Sequence, residues 1–277
     1  MKKITILFLC LITQSVFSQT LYLDNSFSTD YLKEQDKSFY EQNTSAYIYT
    51  DKNGVKMPYR LFLPDNYNPK KKYPIVLVFH GAGSRGNDNL KQLRPWVAGW
   101  MDAEVQKEHP SIILMPQCPK KQQWVNVPWK EGSYRFKDIP ESDPMQLSKE
   151  IFDKVVQEYA VDKNRVYVMG MSMGGYGTWN FTMRYPKIIA AAVPICGAGD
   201  PLMAKKIKRI PIWAFHGDKD PTVPLAGSTE MIESLTRFKK HKARFTIYKD
   251  VGHNSYELAW KNPALIDWVF SQHKRSK

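Results

Sequence analysis

The chain has 277 residues, 43% of them hydrophobic and 24% charged, with a formal charge of +13. That length suits one large α/β domain or two small ones, and the apolar share can fill a core, which excludes disordered, collagen-like and disulfide-scaffold classes. The 40 basic residues against 27 acidic ones favour an anionic neighbour. The lysines, however, are spread in short runs (Lys70–Lys72, Lys120-Lys121, Lys205-Lys206, Lys239-Lys240), as on solvated loops and helix faces. No nucleic-acid role follows from the charge.

Lys2 and Lys3 precede an apolar run from Ile4 to Ile12, and Val16-Phe17-Ser18 offers a small-residue cleavage site. This is the layout of a secretory signal peptide, shorter than the roughly 18 apolar residues that span a bilayer. Cys10 does not fit a lipid-attachment site, because bulky Leu9 precedes it and the apolar run continues past it. The expected product is cleaved near Ser18-Gln19 and is secreted or periplasmic, with no stable membrane insertion. Residues 19–45 are polar and mixed and read as an extension lying on the surface, and residues 46–277 read as the main domain.

Tyr47-Ile48-Tyr49, the turn Asp51-Lys52-Asn53-Gly54 and Tyr59–Leu63 predict an antiparallel hairpin, with Asn-Gly supplying the positive φ angles. Apolar runs then recur at Ile75–Phe79, Ile112–Met115, Arg165–Met169, Ala191–Ile195, Ile212–Phe215 and Phe245–Tyr248, as in strands buried on both faces. Asp143-Pro144-Met145-Gln146 opens a helix with an N-cap, an early proline and a capping-box glutamine. Ile151, Val155, Val156 and Tyr159 carry its apolar stripe. Further helices are expected from Gly227 to about Lys239 and from Pro263 to about His273. A hairpin followed by repeated βα units implies an α/β fold with one mostly parallel sheet and helices on both faces.

The string Arg165–Trp179 runs a buried strand into Gly170-Met171-Ser172-Met173-Gly174 and then into a helix pattern. A serine hydroxyl is a poor nucleophile unless a tight turn raises it to where a base can reach it. Such a turn crowds its neighbours and so requires glycine two residues to either side. The helix that follows offers free N–H groups to a developing oxyanion. The base is an imidazole, and of the six histidines His253 lies just past the last strand. His109, His241 and His273 read as surface, and His80 and His216 end strands and read as loop-shaping residues. The acid follows the preceding strand, where Asp220 is chosen over Asp218 because His216-Gly217-x-x-Asp220-x-x-Val223-Pro224 matches the acid loop of many hydrolases. Met173 N–H is the first expected oxyanion donor. Ala82, in His80-Gly81-Ala82-Gly83 after the first buried parallel strand, is the second, with Gly81 and Gly83 as its rivals. No histidine pair at i, i+4 and no cysteine pair supports a metal, and no cofactor is implied.

These strings together resemble secreted α/β-hydrolase-fold serine esterases, especially feruloyl and acetyl carbohydrate esterases and the related predicted-peptidase and phospholipase/carboxylesterase group. The similarity runs from Ala46 to the C-terminus. It implies Ser172, Asp220 and His253 as a triad working through an acyl-enzyme on an ester substrate, one that polysaccharides could carry. A prolyl-oligopeptidase-like peptidase and an inactive glycan-binding module are the alternatives. The former usually carries a gating domain that is absent from this sequence, and the latter requires a broken triad. Between Gly197 and Ile210 there is no room for a cap domain, so the site is expected to be open. The stretch Gln117–Pro140 carries Trp124, Trp129, Tyr134 and Phe136, and Trp124 is expected to line the acyl or sugar pocket. In the usual strand order two strands separate Cys118 from Cys196, so both are expected to be free thiols.

Overall fold

The computed structural model describes residues 20–23 and 37–274. The expected signal peptide and its cleavage point lie outside the described residues. Among the described residues nine strands, β1 (Thr20–Leu23), β2 (Ser45–Thr50), β3 (Lys56–Phe62), β4 (Tyr73–Phe79), β5 (Ile112–Pro116), β6 (Val161–Met171), β7 (Ala191–Ile195), β8 (Ile212–Gly217) and β9 (Ala243–Tyr248), form one sheet in the order β1-β9-β8-β7-β6-β4-β5-β3-β2. β3 alone among the described strands runs against the others, antiparallel to both of its neighbours β2 and β5. This is the α/β-hydrolase arrangement expected from the sequence. The helices are α1 (Lys37–Asn43), α2 (Pro95–Met101), α3 (Ala103–Glu108), α4 (Asp143–Glu158), α5 (Met173–Arg184), α6 (Ala204–Ile207), α7 (Ala226–Thr236), α8 (Ser255–Trp260) and α9 (Leu265–Phe270).

Side chains alternate across a strand, and β4 divides accordingly. Ile75, Leu77 and Phe79 join one core with α4, α5 and α7, whereas Val76 and Val78 join a second core with α2, α3, α8 and α9. Both faces are therefore covered, which is why the strands read as continuous apolar runs.

Three local expectations change. Gly54 takes a positive φ of 83° but Asn53 does not, because the connection spans residues 51–55 and Asp51 Oδ1 accepts the N–H groups of Asn53 and Val55. The cap of α4 is Ser142, whose Oγ accepts from Met145 N–H, while the Gln146 side chain instead donates to Glu150. The segment expected to lie on the surface supplies a strand, β1, paired parallel to β9, and a helix, α1, that buries Tyr40 in the second core.

Candidate active site

The parallel strands point their C-terminal ends to one edge, where ligands bind in open α/β sheets. Met171 ends β6 and Met173 opens α5, which leaves Ser172 alone on the bend at φ 57° and ψ −122°. That left-handed conformation is costly for a residue with a Cβ, and its neighbours enforce it. A Cβ at Gly170 or Gly174 would fall inside 3.0 Å of the Phe79 carbonyl oxygen, so β4 and the bend meet backbone to backbone. Ser172 N–H donates to the Ile195 carbonyl at 2.9 Å, which ties the bend to β7.

Asp220 follows β8 and His253 follows β9. The structure brings both to Ser172. His253 Nδ1 lies 2.8 Å from Asp220 Oδ2, and its Nε2 lies 2.8 Å from Ser172 Oγ. The carboxylate fixes the tautomer: Nδ1–H donates to it, and Nε2 is left to accept from the hydroxyl. Asp218, the alternative acid, has a buried Oδ1 with no hydrogen-bond partner, and its N–H donates to the Tyr248 carbonyl. Burial of the Asp220 side chain would raise its pKa, but hydrogen bonds from His216, His253 and the N–H groups of Val223 and Thr222 outweigh that and hold it well below the usual carboxylate range. The loop carrying His253 presses on the end of β8, where a Cβ at Gly217 would fall inside 3.0 Å of the Val251 and Gly252 carbonyl oxygens.

The N–H of Met173 opens α5 and that of Ala82 opens a 3-10 turn over Ala82–Ser84, so neither has an acceptor within its own turn. The Ala82 carbonyl is held by Arg85 Nε at 2.9 Å. His80 lies beneath this loop, fully buried, its pKa pushed down to about 4 by desolvation. Neutral His80 accepts Cys118 N–H at Nε2 and donates Nδ1–H to the Gly81 carbonyl at 2.7 Å. This is the loop-shaping position expected of it.

A cleft of about 890 Å³ opens over Ser172 and His253. Trp124 is not part of it, and the expectation for that residue is corrected. It is fully buried, its Nε1 donates to the His80 carbonyl at 3.0 Å, and its ring packs edge-on against Phe79. Tyr134 accepts from Asn180 and Phe136 lies under the Arg184 guanidinium, so these two also fasten the segment to α5. Trp129 alone of the four faces the cleft, with Arg85 over its ring and its carbonyl accepting the Tyr176 hydroxyl. The opposite wall, missed in the sequence, is made by Trp96, stacked on Trp260 at 5.1 Å, with Tyr256, Arg94, Glu257 and Lys261. Trp96 and Trp260 stand far apart in the chain, and no local pattern joins them.

Cys118 and Cys196 are both buried and free, with β6 and β4 between their strands in the sheet order. Cys196 lies close to Asp220 and His253, their potential ligand atoms all within 4.8 Å of one another. Burial pushes its thiol pKa far up, a poor state for a metal ligand.

An open cleft over a serine on a strained bend, in line with an imidazole and a carboxylate, defines an α/β-hydrolase-fold hydrolase of the serine type. The chain belongs to the esterase family described as "Putative esterase", which matches residues 51–277. It is similar to the bifunctional acetylxylan esterase/xylanase XynS20E of Neocallimastix patriciarum, at 36% identity over 84 residues, 30% of this chain and 12% of that protein. Feruloyl esterase D of Neurospora crassa is 22% identical over 197 residues, 69% of this chain and 62% of that one. Among solved structures, a thermostable esterase superposes with a TM-score of 0.77 at 36% identity, over 85% of this chain and 64% of that one. The chain thus spans less than two thirds of each of these relatives. No helix among the described residues is long and apolar enough to cross a membrane.

Proposed function

We propose that the protein is a serine carboxylic-ester hydrolase that cleaves acetyl or feruloyl esters of plant or algal polysaccharides, or of their fragments, through an acyl-enzyme. The observation that carries this reading is the chain of two 2.8 Å contacts joining Ser172, His253 and Asp220 at the floor of the cleft. Ser172 Oγ attacks the ester carbonyl as its proton passes to His253 Nε2. The N–H groups of Met173 and Ala82 hold the oxyanion. The imidazolium, steadied by Asp220, then protonates the leaving alcohol. Water, activated by the same imidazole, releases the acid and restores the serine.

The carbohydrate side of the reading draws on the relatives, whose names include acetylxylan and feruloyl esterases. It also draws on the cleft. Between Gly197 and Ile210 the chain makes only a short turn and α6, which leaves room for a bulky or polymeric alcohol. Lys2-Lys3 and the run Ile4–Ile12 support export, and the expected intact mass of the exported protein lacks residues 1–18.

The deciding experiment sets p-nitrophenyl acetate, methyl ferulate, acetylated xylan and a peptide amide beside one another, with Ser172→Ala as control. Ester turnover that falls by about 10⁴-fold or more in the variant is the expected result. Cleavage of the peptide without the esters points to a peptidase, and turnover of nothing points to a binding module; either refutes the proposal.

A further inference from the structure

His216 ends β8 fully buried, and the acyl-enzyme mechanism gives it no task. Its Nε2 lies 3.0 Å from the Val223 carbonyl oxygen and 3.3 Å from Asp220 Oδ2. Both neighbours are acceptors, so Nε2 carries a proton. At the other end of the ring Nδ1 and Ser228 Oγ on α7 lie 2.8 Å apart, and the one hydroxyl proton of Ser228 is shared between Nδ1 and the Gly197 carbonyl oxygen at 2.9 Å. The imidazole is thus held at both nitrogens, by the loop after β8 on one side and by α7 on the other.

The oxygen that His216 approaches is the one that takes His253 Nδ1–H at 2.8 Å. Asp220 Oδ1 is occupied separately, accepting the N–H groups of Thr222 and Val223 at 2.9 and 3.0 Å. His216 reaches Val223 O, Val223 N–H reaches Asp220 Oδ1, and Asp220 Oδ2 lies back against His216, so the three residues close a ring. Two other groups face this carboxylate, the Cys196 thiol after β7 and the Tyr176 phenol from α5; burial raises both pKa values, so both keep their protons and bring no charge.

We propose that His216 is a positioning residue, a second imidazole donor that sets the Asp220 carboxylate for His253. The inference rests on the reading of Asp220 as the triad acid. A carboxylate turns about its Cβ–Cγ bond unless donors hold it, and in this dry setting water cannot replace a missing donor. Leucine at position 216 fills the hole but leaves the Val223 carbonyl and Asp220 Oδ2 each short of a donor. The carboxylate then loses its alignment with Nδ1–H, and the imidazole loses its alignment with Ser172. Small misplacements of a catalytic group cost on the order of 10- to 100-fold in rate. Substrate binding, which takes place in the cleft away from His216, is untouched.

The test uses the full chain. Wild type is first titrated with a fluorophosphonate and assayed on p-nitrophenyl acetate, and His216→Leu, His216→Gln and Ser228→Ala follow. In His216→Leu kcat is expected to fall by about 10- to 100-fold with KM unchanged. The low-field proton resonance of the His253–Asp220 bond is expected to shift or vanish. His216→Gln, whose amide N–H can reach Val223 O and Asp220, regains most of kcat and the resonance. Should His216→Leu fail to fold, Ser228→Ala decides, since it frees one end of the ring and is expected to lower kcat several-fold at constant KM. An unaltered kcat in His216→Leu, or in Ser228→Ala where that variant decides, overturns the inference, as does an equal loss in the leucine and glutamine variants. A wild type that takes no label and cleaves no ester removes the esterase reading itself, and this inference with it, whereas an active, labelled wild type separates the two failures.

Discussion

Replacing Trp124 by alanine tests where the aromatics of the Gln117–Pro140 segment do their work. The indole is fully buried between β4 and α5, with its ring 4.9 Å from Phe79 and 5.1 Å from His80, and Gly177 is tight against its Cβ and ring. Truncating a buried tryptophan costs about 3–5 kcal/mol in lost transfer energy and cavity formation. Leaving the His80 carbonyl without the indole N–H costs about 1–3 kcal/mol more where no water enters. For a chain of this size each kcal/mol moves Tm by about 2–4 °C, so Trp124→Ala is expected to melt roughly 8–30 °C below wild type. Trp124→Phe, which keeps most of the packing but not the N–H, falls between the two. The assay is urea and thermal unfolding followed by circular dichroism, with KM for methyl ferulate measured well below the transition. KM is expected to be unchanged while kcat drops, because the lost bond tethers the loop that carries Ala82. An unaltered Tm together with a raised KM for the aromatic ester would place the indole in the substrate pocket and refute the argument.

His80 is neutral in the fold, its pKa pushed down to about 4 by burial from an ordinary 6.5. Between those values the unfolded chain binds a proton that the native state refuses, so stability falls as pH drops through this window, by about 3 kcal/mol in all. Urea midpoints measured from pH 7 to pH 4 are expected to show this slope in wild type and to lose that share of it in His80→Gln; identical slopes contradict the assignment. Gly174→Ala is expected to abolish fluorophosphonate labelling of Ser172, since the added methyl would overlap the Phe79 carbonyl, and normal labelling would show that the bend can open. Cys118 and Cys196, whose thiol pKa values burial pushes up, are expected to resist iodoacetamide at neutral pH and to react once urea unfolds the chain. Modification of the native protein, read by intact mass, would contradict their placement.

The residues that the sequence made legible share one property: each sits where a buried strand stops. Ser172, Asp220 and His253 follow β6, β8 and β9, and a parallel sheet must bring such ends to one edge whatever the helices between them do. The glycines flanking Ser172 were readable for the same reason, because crowding at the bend is a local matter. Aromatic residues in a long connection carry no such signal. Trp124 and Trp129 stand five residues apart in similar company, yet one became core and the other cleft wall. That outcome depends on how the segment drapes over α5, which only tertiary packing decides. The Trp96–Trp260 wall was hidden further still, since α2 and α8 meet in the second core on one face of the sheet, a contact that no spacing in the chain announces. Cap position was similarly obscured at α4, where Ser142 and Asp143 are both good N-caps and the choice fell to the serine that also donates to the Trp124 carbonyl.

The acid loop shows how a string that reads as consensus becomes a mechanism once its atoms are placed. A carboxylate as buried as that of Asp220 should be reluctant to ionise. The same residue is asked to stabilise an imidazolium, which only an anion does well. Donors on both of its oxygens resolve the conflict: Thr222 and Val223 on Oδ1, His253 and His216 on Oδ2. They keep Asp220 charged throughout the range in which an imidazole can act as a base. Its lowered pKa makes it a far weaker base than the imidazole, so the proton that leaves Ser172 stays on His253 until the leaving alcohol collects it. Gly217 is part of the same solution. With no side chain there, the His253 loop settles directly on the end of β8, and the two imidazoles reach one carboxylate oxygen.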